Sequence, residues 1–134
     1  MTDIPLVYLA HPIDQGDLGH LTEVAAGVLG QAGCMTYDPG LAWDGPITGR
    51  IHHINLTVLA QCDLMVVVLD PARLTVGAVL EMMAFRSSCV VIYGPNLQKS
   101  VAMEAMHWRV THDPIELATE IHAILEDQGY TWNN

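Results

Sequence analysis

Glu81 is the residue whose surroundings most strongly suggest chemistry. It stands in the segment LTVGAVLEMMAF, residues 74–85, where every other residue except Thr75 is apolar or glycine. A surface helix ordinarily spreads several charged residues over its outer face. Near the N-terminus of a helix the backbone dipole favours a carboxylate, and an ionised carboxylate is a possible nucleophile. The commoner alternative is a solvated glutamate without a chemical role.

Apolar runs alternate with amphipathic stretches from end to end, which predicts alternating strands and helices. Gly33 is expected to stop the first helix, Thr48 to cap the next, and Asp113 to cap the last, over residues 114–128. The segment PGLAWDGPITG, rich in glycine and proline, is predicted to be a loop. The predicted strands are residues 5–10, 34–38 and 63–70, the run CVVIYGP from Cys89, and a short run around WRVT.

Strands separated by helices in this way predict one doubly wound α/β domain over residues 1–134, with a mostly parallel five-stranded sheet of the flavodoxin or Rossmann-like kind. Such sheets bind ligands beyond the carboxyl ends of their strands. The segments AHPID, DPGLAWDG, LDPARLTVG and YGPNLQKS reach that edge and hold most of the unusual polar residues. Glu81 falls in the second turn of a helix that begins there, so its side chain can lean toward the crevice.

Composition excludes several classes of partner. Fifteen acids against five bases give a net charge of −10, which repels a nucleic-acid backbone. No segment approaches the roughly 20 apolar residues of a membrane span, and the N-terminus lacks the basic start of a signal peptide. We therefore expect a cytoplasmic protein that binds neither nucleic-acid polymers nor membranes.

The sequence also predicts no cofactor, no metal and no disulfide. The first strand is not followed by G-x-G-x-x-G, so a dinucleotide fingerprint is absent. The histidines show no ligand spacing; His52 and His53, being adjacent on a helix, point to different faces. The three cysteines lie in or beside apolar runs, which is typical of buried thiols in a reducing compartment.

Three motifs together resemble the nucleoside 2-deoxyribosyltransferase family, which includes related nucleoside 5′-monophosphate N-glycosidases. They are VYLAHPID at the first strand, CDLMVVVLD at the third and TVGAVLEMMAF after it. The family typically has a Y-x-A-G-P-like turn after the first strand, an aspartate opening the third strand, and a glutamate nucleophile in a G-x-x-x-E helix. Tyr8, Pro12, Asp63, Gly77 and Glu81 match this pattern over most of the chain.

The resemblance implies that Glu81 attacks the anomeric carbon of the sugar and forms a covalent glycosyl-glutamate. Another base then resolves this intermediate by transfer, or water resolves it by hydrolysis, as in a retaining glycosidase. By the same analogy Asp63 holds a sugar hydroxyl or the surroundings of the nucleophile. Tyr8 positions Glu81 or stacks near the sugar.

Three departures from the family pattern bear on the substrate. His11 replaces the usual glycine, which adds a titratable group beside the sugar site. Thr75 stands where many transferases have a base-contacting aspartate, and a hydroxyl residue there favours hydrolysis of a nucleotide or an altered base. Glu104 stands at the nearest match to an asparagine that reaches a neighbouring subunit's site. The other residues that we place at the substrate site are Asp14, Asp70 and Met106, with Arg73, Lys99 and Ser100 as the candidate phosphate ligands.

Three interpretations of function remain open at this point. The first is an N-glycosyl enzyme, transferase or hydrolase, that acts on a (deoxy)nucleoside or its 5′-monophosphate. The second is a hydrolase specific for the nucleotide, which needs the candidate phosphate ligands. The third is a module of the same fold that binds a nucleoside-like ligand or a partner chain without catalysis. The resemblance also implies a homodimer or larger homo-oligomer, with an apolar contact formed by Trp43, Met103, Met106 and Trp108.

Overall fold

A computed structural model describes residues 4–11, 18–42, 48–71 and 76–131. Strands and helices alternate along these residues, as the sequence predicts. The strands are β1 Leu6–Ala10, β2 Met35–Tyr37, β3 Leu64–Val68, β4 Val90–Tyr93 and β5 Arg109–Thr111. The helices are α1 Leu18–Gln31, α2 Pro39–Ala42, α3 Gly49–Leu59, α4 Val76–Ala84, α5 Val101–Ala105 and α6 Pro114–Asp127.

The five strands form one parallel sheet in the order β2-β1-β3-β4-β5. The strand order reverses between β1 and β3, which is the position where doubly wound sheets bind ligands. Tyr8 on β1 is paired with Tyr37 on one side and Met65 on the other. The prediction of a doubly wound α/β sheet is confirmed.

Helices cover both faces of this sheet, because right-handed crossovers place them on opposite sides where the strand order reverses. α1 packs against α6, and α3 packs against α4. All of β3 is buried, which explains why its sequence is apolar at every position rather than at alternate ones.

The predicted start and stop signals are found where expected. Gly33 has a φ of 77°, a left-handed conformation that glycine adopts without strain. The Thr48 hydroxyl accepts a hydrogen bond from the Ile51 amide at 3.3 Å, and the Asp113 carboxylate accepts one from Glu116 at 2.8 Å. These contacts satisfy backbone donors at the starts of α3 and α6.

The prediction of a loop after β2 is wrong for its first residues, because Pro39–Ala42 forms the short helix α2. The Asp38 side chain accepts a hydrogen bond from the Gly40 amide at 2.8 Å, and its carbonyl accepts one from Leu41 at 3.1 Å. Asp38 thus acts as a cap, and Pro39 takes the first helical position, which suits its fixed φ.

The three cysteines are free. Cys62 and Cys89 are buried, as the sequence predicts, whereas Cys34 is only half-buried. Burial, and then the nearby negative charge of Asp63, raises the pKa of Cys34 and of Cys62 to about 11. In the part of the chain that the structure describes, no helix has both the length and the apolar character needed to span a bilayer.

Candidate functional site

Glu81 lies in the second turn of α4, as predicted, at the margin of the helix's buried face. Ala78 and Met82 turn toward the core, whereas Leu80 and Met83 are exposed. Glu81 stands between these two sets and is half-buried. Its carboxyl group is therefore partly withdrawn from water, which is not the environment of an ordinary solvated surface glutamate.

The Tyr8 hydroxyl is directed at the Glu81 carboxyl from the neighbouring strand. Tyr8 is wholly buried; burial first, and then its interaction with Glu81, raises its pKa far above the usual range. Tyr8 Oη and Glu81 Oε2 are both buried, and neither atom has a hydrogen bond of ordinary length and angle to any described residue. The two groups thus interact at a longer or less aligned contact, which leaves both with unused hydrogen-bonding capacity.

Several neighbours act on the ionisation of Glu81 in opposite directions. Burial raises the pKa of its carboxyl group, whereas the Tyr8 hydroxyl and the positive charges of His52 and His11 lower it, and burial outweighs them. The sequence suggested that the helix dipole would favour the ionised carboxylate. The raised pKa shows that the dipole alone does not set the charge of this residue. Its ionised form depends on the groups that face it.

His11, which follows β1, contacts the carboxylate of Asp38 at the end of β2. Nε2 of His11 lies 2.5 Å from Oδ1 of Asp38, and the two side chains are only 1% and 10% exposed. Gly40 packs against the imidazole, since a Cβ at that position would lie 2.6 Å from Cε1 of His11. The ring is thus held in a close-fitting niche rather than standing free beside a sugar site.

The inner face of α3 adds a second group of polar residues. His52 and Asn55 are three residues apart and so share one face of the helix. The Tyr37 hydroxyl donates to Oδ1 of Asn55 at 2.8 Å, and the Tyr37 ring lies 5.5 Å from the ring of Tyr8. These contacts join α3, β2 and β1 around the Glu81 site.

Asp38, His52, Asn55 and Tyr37 were missed as site residues by the sequence reasoning. Asp38 ends a strand at the predicted ligand edge, and this position was a usable signal. The spacing of His52 and Asn55 on one helix face was another. The spacing of histidines along the chain reveals neither signal. His11, for example, contacts Asp38 only because the fold brings two distant segments together.

Asp63 lies at the other edge of the sheet, because it precedes β3 at the amino end of that strand. Its Oδ2 accepts hydrogen bonds from the Leu6 amide at 2.9 Å and from the Tyr130 hydroxyl at 3.0 Å. In the structure Asp63 therefore joins the start of β1 to the segment that follows α6.

The predicted substrate residues that are described are scattered. Asp70 follows β3 at the carboxyl edge and is half-buried. Gly77, in the first turn of α4, has no atom within 4 Å of where a Cβ would be. Ser100 caps α5 by accepting a hydrogen bond from Met103 at 3.2 Å, and Met106 ends that helix.

Lys99 and Glu104 line a groove of about 680 Å³ with Trp108, Arg109 and other residues. Arg109 opens β5, so this groove reaches the amino end of that strand and is not the Glu81 crevice. The residues Pro12, Asp14, Trp43, Arg73 and Thr75 lie outside the described residues.

A larger groove, of about 840 Å³, runs between α1 and α6. It lies on the face of the sheet opposite α3 and α4, and its lining is mainly apolar. We place the candidate site at Glu81 rather than in this larger groove. At Glu81 a buried carboxyl oxygen and the buried hydroxyl of Tyr8 lie together, and such groups are typical of functional sites. Among the described residues, no three His, Cys, Asp or Glu side chains come together as a metal would require.

Comparisons with known proteins support the architecture. No protein-family model matches the sequence, and no curated protein matches it either. The structure is similar to that of a 2-deoxyribosyltransferase from the psychrotolerant bacterium Bacillus psychrosaccharolyticus. The TM-score is 0.69 at 15% identity, over 84% of this chain and 90% of that chain.

A second similar structure is a response regulator receiver domain protein from Bacillus halodurans. It has a TM-score of 0.52 at 18% identity, over 92% of this chain and 97% of that chain. At these identities the likeness shows a shared fold. Because one fold serves many functions, the assignment of function must rest on the site.

Proposed function

We propose that this protein catalyses N-glycosyl transfer or hydrolysis on a (deoxy)nucleoside or its 5′-monophosphate, with Glu81 as nucleophile. The observation on which this depends most is the half-buried Glu81 carboxyl, which interacts with the Tyr8 hydroxyl of β1. The fold that the chain shares with a 2-deoxyribosyltransferase supports the proposal, as do the sequence motifs.

The proposed reaction has two displacement steps. A carboxylate oxygen of Glu81 attacks C1′ of the sugar, and the electrons of the breaking C–N bond pass to the departing base, which takes up a proton. Water or a second base then attacks C1′ from the opposite side, loses a proton, and releases the carboxylate. Two inversions at one carbon retain the configuration of the sugar.

Tyr8 suits the role of a hydroxyl that orients the nucleophile. Its raised pKa keeps the phenol protonated across the physiological range, so that it remains a donor toward the carboxylate. Such a donor fixes the direction of the Glu81 side chain at the cost of some nucleophilicity. We expect Tyr8→Phe to lower turnover more mildly than loss of Glu81 does.

The balance between transfer and hydrolysis is proposed to lean toward hydrolysis. Thr75 is neutral and a poor proton donor, so it is less suited than an aspartate to hold an incoming base. We expect a 2′-deoxynucleoside or its monophosphate to release free base when no acceptor base is added, and Thr75→Asp to favour base exchange. Strict dependence of the wild type on an added base would overturn this preference.

The direct test is chromatography of nucleosides, nucleotides and bases after incubation with the protein. Wild type should release or exchange bases, and Glu81→Gln should lower turnover by several orders of magnitude. Glu23→Gln, at an exposed position of α1, is the matched control and should behave as wild type. A Glu81→Gln protein with near-full activity would contradict the proposal.

The alternative function is a non-catalytic module that binds a nucleoside or nucleotide. The likeness to a receiver domain shows that this fold is not restricted to glycosyl enzymes. The same experiment separates the two functions when binding is measured beside turnover. Wild type that binds a nucleotide by calorimetry, yet leaves every substrate unchanged just as Glu81→Gln does, would establish the alternative.

A further inference from the structure

We propose that the groove along β5, which is separate from the Glu81 crevice, binds a phosphate group through Lys99, His107 and the indole N–H of Trp108. This site does not depend on the proposed activity of Glu81. Inorganic phosphate and the phosphate of a small metabolite present the same oxyanion to it.

The first support is the concentration of hydrogen-bond donors in this groove. The chain has five basic residues against fifteen acidic ones, yet two of the five, Lys99 and Arg109, line the same cavity of about 680 Å³. The Ser88 hydroxyl and the His107 imidazole line it as well, and an imidazole donates whether it is neutral or charged. Donors from separate segments suit the several oxygens of a phosphate.

The second support is an unpaired donor in the lining of the groove. Trp108 lines the groove, and its Nε1 atom is buried with no hydrogen-bond partner among the described residues. Buried donors without partners are rare, because the N–H group loses its hydrogen bonds to water and gains none in return. A phosphate oxygen in the groove would supply the missing acceptor.

The third support is the backbone at His107. Its φ of 60° is left-handed, and its amide donates to the Glu104 carbonyl at 3.0 Å where α5 ends. Glycine is the usual residue at such a helix end, because other residues are strained in this conformation. A role for the imidazole in binding a ligand accounts for a histidine at this position.

The ion pair between Arg109 and Glu120 favours phosphate over a carboxylate as the ligand. Nη1 of Arg109 lies 2.5 Å from Oε2 of Glu120, so the guanidinium group that would bind a carboxylate is already engaged by one. Lys99 has no ion-pair partner among the described residues, and lysine binds phosphate as a point charge. The net charge of −10 does not prevent this contact, since physiological salt screens charges more than about 8 Å away.

The test is a titration with sodium phosphate, followed by the indole N–H resonance of Trp108 in nitrogen-15 NMR. Trp108→Phe assigns this resonance, and sodium chloride at equal ionic strength is the control. Phosphate should shift the resonance saturably in wild type and in Glu81→Gln alike. A resonance that phosphate and chloride affect equally would overturn the proposal, whatever the result for Glu81.

Three further ligands identify the source of the phosphate, and they are added to Glu81→Gln so that no substrate is consumed. If adenosine 5′-monophosphate acts at lower concentration than inorganic phosphate, the ligand is a phosphorylated metabolite; the reverse order identifies free phosphate. Adenosine and acetate should have no effect. A response to either of them equal to that for phosphate would overturn the assignment of phosphate.

Charge-matched variants test the assigned residues. Lys99→Gln should lower the phosphate affinity by roughly tenfold, as loss of a hydrogen bond to a charged group usually does. Arg50→Gln, at an exposed position of α3, should leave the affinity unchanged. Glu104→Gln removes a negative charge from the groove and should raise the affinity, with Glu23→Gln as its control.

His107→Gly separates binding from folding. Glycine suits the left-handed backbone at this position, so the free energy of unfolding in urea should not fall, whereas the phosphate affinity should. Unchanged affinity in both His107→Gly and Lys99→Gln would overturn the site. If Trp108→Phe does not fold, calorimetry of phosphate binding to these two variants and to wild type gives the same decision.

Discussion

At the scale of single residues, two opposing effects act on the charge of Glu81. Withdrawal of its carboxyl from water raises the pKa, whereas Tyr8, His52 and His11 lower it. A solvated carboxylate would need no such neighbours, and a fully buried one would not remain charged. The intermediate position, with partial burial and nearby cations, is typical of groups that react.

The same conflict predicts that Glu81 lowers stability at neutral pH. A group whose pKa is raised in the folded state stabilises the fold at pH values below its unfolded pKa of about 4.3, and this contribution is lost as the pH rises through the folded pKa. Glu81→Gln should therefore be more stable than wild type at pH 7.5, with no such gain at pH 4. The measurement is the free energy of unfolding in urea at both values.

The control for this comparison is Glu23→Gln, whose position is exposed. Its free energy of unfolding relative to wild type should not vary with pH in the same way. A difference between Glu81→Gln and wild type that is equal at both pH values would contradict a raised Glu81 pKa.

At the scale of elements, the turn from β2 into α2 determines where His11 lies. A methyl group at Gly40 would meet the imidazole at 2.6 Å, and the ring has little room to move between that backbone and Asp38. Gly40→Ala should therefore lower the free energy of unfolding by about 1–3 kcal/mol, the usual cost of overpacking.

Gly30→Ala is the control, since Gly30 lies inside α1 and a methyl group added there would have no neighbouring atom within 4 Å. This substitution should raise the free energy of unfolding by about 0.5–1 kcal/mol through helix propensity. Urea denaturation of both variants gives the comparison. A Gly40→Ala protein as stable as wild type would show that the niche around His11 relaxes freely.

Asp63 provides a further prediction at this scale, because it joins the starts of β1 and β3 to the segment after α6. Asp63→Asn replaces a charged acceptor of two hydrogen bonds and should cost about 1–3 kcal/mol of unfolding free energy. Turnover per folded molecule should stay near wild type. A large loss of turnover in fully folded protein would restore the catalytic role that the family resemblance implies.

At the scale of the whole molecule, we predict a dimer or larger assembly. Met103 and Trp108 pack against the core, so they supply less free apolar surface than the sequence suggested. Leu80 and Met83 on α4 are 51% and 62% exposed, and exposed apolar surface of this kind favours association.

Light scattering at micromolar concentration checks this prediction. A net charge of −10 makes two copies repel one another, so association should strengthen as salt rises and screening shortens the range of repulsion to about 8 Å. A monomeric mass at both low and physiological salt would contradict it.

The sequence by itself predicted the five strands and the longer helices, although not the short helix α2. The uninterrupted apolar run of β3 is typical of a strand covered on both faces, and Gly33, Thr48 and Asp113 mark helix ends through local backbone chemistry. It also singled out Glu81, because a lone acid in an apolar helix is visible without any knowledge of distant contacts. These features depend on residues close together in the chain, which is why the pattern alone reveals them.

Only the tertiary structure decided what surrounds Glu81. His11 and Asp38 come from separate segments, and they meet because β1 and β2 are neighbours in the sheet, which no local spacing encodes. Asp63 shows the converse: it matches a motif in sequence, yet it lies at the amino end of its strand and bonds to Leu6 and Tyr130. A carboxylate's chemistry depends on charges and burial within a few ångströms, and those are set by the packing of elements distant in sequence.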